Sequence, residues 1–167
     1  MKKLMILMVF GLVVGCQSPE VISEFTGVET VYSLQQASAY PVSGTVTFKE
    51  RKDGRTTVVV EVDGTSGNAS HPVHLHLGDL SVPDAAIAAL LTPLSAATGT
   101  SETILQTLSD ESIVTYNQII SMRASIKIHL GETGPERNII LAAGNIGVAI
   151  GDAIPSGRYS IGICKSE

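Results

Sequence analysis

From Tyr40 onward the chain alternates apolar and polar positions in short runs. The stretch "SGTVTFKERKDGRTTVVVEVDG" sets Val46 and Phe48 between polar neighbours, turns at Asp53-Gly54, and returns through Val58 to Val62. A period of two marks strands with one buried face, and Asp-Gly is a turn pair suited to a hairpin. "VHLHL" (73–77), "TILQTL" (103–108), "SIKIHL" (125–130), "NIILAA" (138–143), "IGVAI" (146–150) and "RYSIGI" (158–163) read as further strands. Pro, Gly, Asn and Asp punctuate most of the gaps between them. Many short strands with turn signals in one domain predict a sandwich or barrel.

Two stretches depart from that period. "PDAAIAALL", from Pro83, has a proline suited to a first helical turn and apolar residues three and four apart. "TYNQIISM" begins at Thr115 with Gln118 three positions later, the arrangement of a capping box. The expectation is an all-β domain with one or two short amphipathic helices inserted between strands, lying as lids on its flank. The glycines of "GNIGVAIG" lack the lysine and the strand-to-helix context of a phosphate loop, so they read as a tight β-corner.

The N-terminus is a different kind of sequence. "MKKLMILMVFGLVVGC" joins two lysines to an apolar run too short to span a bilayer as a helix, followed by a small residue and a cysteine. That describes a secretory signal over residues 1–15. "VVGC" resembles a bacterial lipobox, which implies cleavage before Cys16 and acylation of that residue, palmitate included. Residues 16–39 are polar without a clear period and read as a tether followed by an entry segment to the domain of residues 40–167. The expected location is extracytoplasmic, on a membrane through the lipid anchor, at the outer membrane or facing the periplasm.

Charge and cysteine narrow the function classes. Net charge is −5, and loss of the leader with Lys2 and Lys3 takes it to −7. No basic run survives, so nucleic acid is excluded as an expected partner. With Cys16 acylated, Cys164 has no intrachain partner, so no disulfide framework is expected despite the oxidising compartment. No Ser-His-Asp order or paired-carboxylate spacing supports a hydrolase.

The chemistry gathers at histidine. "HPVHLHLGDL" holds three of the chain's four histidines, His71, His74 and His76, and His129 follows in "SIKIHLG". Residues i and i+2 of a strand share a face, so His74 and His76 point the same way, roughly 6–7 Å apart. His71 is out of phase with them. On the later strand Ile126 and Ile128 share one face, and Lys127 and His129 the other. Three imidazoles suit copper or zinc and leave a coordination position open. Spacing alone leaves two readings, metal ligands or polar residues on a solvated strand face. Asp79 and Glu132 are close in sequence to the pair and to His129, as acceptors that would orient a ring or as solvated loop carboxylates.

"HPVHLH" has the H-x-x-H-x-H spacing of the copper/zinc superoxide dismutases, and "SIKIHLGETGPERNIILAAGNIGVA" resembles that family's later copper-ligand strand, active-site loop and closing strand. The chain is equally similar to the CHRD domain, an extracellular module that pairs an H-x-H strand with a later histidine strand after a short helix. The resemblance covers residues 44 to about 150. It implies a Greek-key β-sandwich or barrel, with His74, His76 and His129 at copper-ligand positions and His71 structural. The departures matter too. No histidine lies between His76 and His129, so the bridging and zinc ligands of the dismutases are missing. Ile140 stands where they carry a substrate-guiding arginine, with Arg137 nearby, and Ala143 where they carry a disulfide cysteine. A working dismutase is therefore not expected. The leading expectation is a lipid-anchored envelope protein binding one copper or zinc ion. The alternatives are a non-catalytic interaction module with structural histidines and a degenerate redox enzyme, and no protein partner is identified.

Overall fold

The computed structural model describes residues 23–82 and 84–149. The leader, Cys16, the first part of the tether, the strand expected at 158–163 and Cys164 lie outside the described residues. Within them, eight antiparallel strands close into a barrel: β1 (Phe25–Gln36), β2 (Ser43–Arg51), β3 (Thr56–Asp63), β4 (Ser70–Leu77), β5 (Ile87–Ser95), β6 (Thr100–Leu105), β7 (Arg123–His129) and β8 (Ile140–Gly147). Among these residues no helix is long and apolar enough to cross a membrane.

The β2–β3 hairpin follows the alternation directly. Val46 pairs with Val60 and Phe48 with Val58, and all four are buried. Asp53 Oδ1 accepts the Arg55 N–H, and Gly54 takes φ +83°, a conformation open to glycine without steric cost. The helix α1 (Tyr116–Ser121) also forms as its cap foretells. Gln118 N–H donates to Thr115 Oγ1 and Thr115 N–H donates back to Gln118 Oε1. Its buried face, Tyr116 and Ile119, packs into the main core.

Strand order is what positions the site. Around the barrel it runs β1-β2-β3-β6-β5-β4-β7-β8. The chain leaves β3 and skips to β4, so β6 becomes the neighbour of β3. It then leaves β6 through the segment containing α1 and enters β7 beside β4. The two histidine-bearing strands thereby become hydrogen-bonded neighbours. Their apolar residues, Val73, Leu75, Ile126 and Ile128, face the interior and are essentially inaccessible.

Four local expectations are corrected. The alanine-rich stretch from Pro83 is not a helix: its apolar part is strand β5, paired with β4 from Ser70↔Ser95 to His76↔Ile87. Ladder bonds to β4 outweigh the local helical preference of alanine, and the bulges in this pairing scramble the alternation that would have revealed a strand. The barrel also begins within the stretch read as tether, at β1. Only Tyr32 and Leu34 of that strand are buried, and a register shift lies between Phe25 and Glu29, around Gly27, so no clean period shows in the sequence. The strand expected at 103–108 sits earlier, as β6. Finally, one strand, Ile140–Gly147, stands where two were expected at 138–143 and 146–150, and residue 150 lies outside the described residues. Asn138 ends the 3-10 turn Gly134–Asn138, and β8 runs straight through Gly144. That glycine is required by contact, because a Cβ there would collide with the Ser33 carbonyl of β1.

Candidate metal centre

The register of β4 against β7 sets Val73 opposite Ile128 and Leu75 opposite Ile126 on the inner face. On the outer face it sets His74 opposite Lys127 and His76 opposite Ser125, with His129 two residues beyond Lys127. Two bulges adjust the aim. The β4–β5 register shifts between Leu75 and His76, and the β7–β8 register shifts between Ile128 and His129. Bulges of this kind re-aim side chains beside functional sites.

The outcome is a convergence of three rings. Ring centroids lie 4.7 Å apart for His74–His129, 5.7 Å for His74–His76 and 6.1 Å for His76–His129. One ring nitrogen from each lies within 4.8 Å of those of the other two. Nitrogens at metal–ligand distances of about 2.0–2.1 Å from a common ion are necessarily about 4 Å apart or less, so a small closing motion suffices. A gap of more than about 8 Å would rule out a shared ion, and the ligand nitrogens lie well inside it.

Although they stand on the outside of the barrel, these groups are covered. His76, His129, Lys127 and Ser125 are essentially inaccessible, and His74 is half-buried. Two connections reach over them. The β4–β5 connection presents the Ala85 carbonyl, which accepts the His76 Nδ1–H at 2.8 Å. The 3-10 turn before β8 presents the Arg137 carbonyl, which accepts the His129 Nδ1–H at 2.6 Å. A carbonyl can only accept, so both rings carry their proton on Nδ1 and keep the Nε2 lone pair. Those two Nε2 atoms, together with His74 Nδ1, are buried and have no hydrogen-bond partner among the described residues.

Electrostatics keep the lone pairs available. Burial is the largest influence on each ring. It brings the His74 pKa down to about 3, helped by the His129, His76 and Arg137 charges. Burial likewise brings His76 down to about 4, against the opposing bond to the Ala85 carbonyl and with help from Lys127, His129 and Arg137. His129 is lowered by burial, then by Lys127 and Arg137, while its bond to the Arg137 carbonyl opposes the shift. All three are neutral at physiological pH, the state in which imidazole donates to a metal.

The remaining expected residues lie outside the trio. His71 is buried and gives its Nδ1–H to the Leu130 carbonyl at 3.0 Å, tying the start of β4 to the exit of β7. Asp79 touches no histidine. Its oxygens take the Ser81 N–H and hydroxyl and the Arg123 guanidinium, at 3.0 Å, which anchors the connection carrying Ala85. Glu132 is exposed on the turn after His129, without a hydrogen bond to that ring. The ring-orienting acceptors are main-chain carbonyls, which no residue type announces. Sequence reading also missed Asn145, whose Oδ1 accepts the Leu80 N–H at 2.9 Å, and the burial of Ser125 and Lys127. Only the even spacing of Ser125, Lys127 and His129 carried a signal for the last two.

No family model, curated protein or solved structure matches the chain.

Proposed function

We propose that this is a lipid-anchored cell-envelope protein whose barrel binds one copper ion, or a zinc ion, through His74 Nδ1, His76 Nε2 and His129 Nε2. One observation carries the reading: each ring has one buried, unpartnered nitrogen, and the three rings converge. A buried polar atom without a partner costs about 1–3 kcal/mol, so three in one place are better explained by a shared occupant. Three neutral imidazoles match the donor preference of copper and zinc, and the divalent order favours copper. The bound metal would supply Lewis-acid or one-electron chemistry at its open position.

The strand order, with two histidine strands adjacent and the ligands on the outer face, supports a Greek-key, superoxide dismutase-like or CHRD-like assignment for the barrel. Ile140, buried opposite His129, gives no cation for an anionic substrate at that position, so no catalytic residue is assigned. A second reading, an interaction module with structural histidines, draws on the carbonyl bonds that His71, His76 and His129 already make.

Elemental analysis of the untagged full-length protein, extracted in detergent and dialysed against trace copper and zinc, separates the two. One equivalent of copper per chain is expected. A folded protein that stays metal-free at micromolar copper establishes the structural reading instead.

A further inference from the structure

His74 differs from its two neighbours in one respect. His76 and His129 hand their second ring nitrogen to a main-chain carbonyl. His74 has its buried nitrogen at Nδ1, and its Nε2 makes no hydrogen bond with any described residue. A ligating histidine nearly always gives its other N–H to an oxygen that fixes the ring. Among the described residues no such oxygen is supplied.

His74 also lines a groove of about 300 Å³ outside β4 and β5, walled by Pro72, Leu90, Leu91 and Pro93, with Glu132 at its side. This is the small end of the range for ligand pockets. Leu90 pairs with His74 across the ladder and stands 68% exposed, so its side chain is open to a ligand in the groove. Of the charged groups assigned to the region, Glu132 alone lines the groove. The groove thus offers a donor in the His74 ring, an acceptor in Glu132, and an apolar wall.

We propose that the groove binds a peptide-like ligand, the amide of an apolar amino acid. Its carbonyl oxygen accepts the His74 Nε2–H, its amide N–H donates to Glu132, and its side chain covers Leu90 and the prolines. A carboxylate would be repelled by Glu132, and a hydrocarbon would leave the His74 ring without a partner in the groove. The inference rests on the metal reading in one point: metal on Nδ1 fixes the proton on Nε2. Ligand binding therefore completes the orientation of the third ring, and metal and ligand strengthen each other's binding.

The test follows the His74 ring resonances of isotope-labelled full-length protein, metal-free and zinc-loaded, with metal content measured in each sample. The probes are N-acetyl-leucinamide, N-acetyl-glycinamide and acetate. N-acetyl-leucinamide is expected to shift the ring resonances saturably, binding about tenfold tighter than the glycine analogue because one apolar side chain is buried. Acetate is expected to bind least. Leu90→Ser and Glu132→Ala are each expected to weaken the leucine probe about tenfold and to leave zinc stoichiometry unchanged. Absence of a saturable shift, or equal affinity for the two amides, overturns the groove inference. Failure to load zinc, and copper in a parallel sample, overturns the metal reading alone, because the shift in metal-free protein still decides the groove.

Discussion

At the scale of single residues the site makes sharp demands. Outer partners of metal ligands already cost about 10–100-fold in affinity when removed, so loss of a ligand costs more. His74→Ala, His76→Ala and His129→Ala are each expected to weaken copper binding by more than about 100-fold in a competition titration. His71→Ala behaves differently. It should leave affinity within a few-fold of wild type and lower stability by about 1–3 kcal/mol, because the Leu130 carbonyl loses its donor. Equal titrations for wild type and the triple variant would remove the site altogether. The pH dependence follows from the same rings. Their folded pKa values lie below the ordinary 6.5, at about 3 for His74 and about 4 for His76. Between those values and 6.5 the unfolded chain holds more protons than the folded one, so stability rises with pH. The metal-free protein should keep full stability above pH 6.5 and lose it as pH falls towards 4. Asp53 and Asp79, whose pKa values are depressed from 3.8, act only in more acid solution. Protons should accordingly begin to compete with the metal only as pH falls towards the depressed values of His74 and His76, and not near 6.5. Thermal unfolding of the metal-free protein at pH 7.5, 5.5 and 4.5 checks the first point, and a flat melting temperature across that range contradicts the buried-ring account.

At the scale of elements, what could be read in advance was what the chain specifies locally. The β2–β3 hairpin has its turn residues and its alternation in one window, and α1 has its cap within four residues. The pairing of His74 with His76 and the odd phase of His71 were legible for the same reason. Strand β5 was not, because what makes it a strand is β4, and its own alanines argue otherwise. Nor were the Ala85 and Arg137 carbonyls legible, since every residue has a carbonyl and only the fold aims these two at imidazoles. The β4–β5 connection now emerges as a separately secured part of the site. Asn145 on β8 holds its Leu80 N–H, Arg123 on β7 holds its Asp79, and its Ala85 carbonyl fixes His76. Asn145→Ala removes one of these ties without touching a ring. It is expected to lower copper affinity about 10–100-fold while the barrel stays folded, and to speed amide hydrogen exchange across residues 78–86. Unchanged exchange together with unchanged affinity would show that the remaining ties suffice.

At the scale of the whole molecule, barrel closure and the proposed lipid anchor are expected to be separable. The barrel closes where β1 meets β8, with Gln35 opposite Ala143 and Gln36 opposite Ala142, and the interior is filled by the apolar faces of its strands. The core and the three-histidine site described above are assembled from residues of the barrel strands and their connections. Cys16 precedes β1 by nine residues, a length that spans at most about 30 Å when fully extended. A lipid on Cys16 would therefore hold the barrel close to the membrane surface, while the proposed metal site and its groove are built by β4, β5, β7 and the connections beside them. Cys16→Ser should abolish acylation, detected by mass spectrometry of the N-terminal peptide, and should either release the protein from the membrane fraction or arrest its maturation. Where it is released, copper stoichiometry and melting temperature should match those of the anchored wild type. A wild-type protein that fractionates as soluble and carries no acyl chain rules out the anchor. A released variant that has lost its metal instead makes the anchor part of the site, which the positions of His74, His76 and His129 on β4 and β7 argue against.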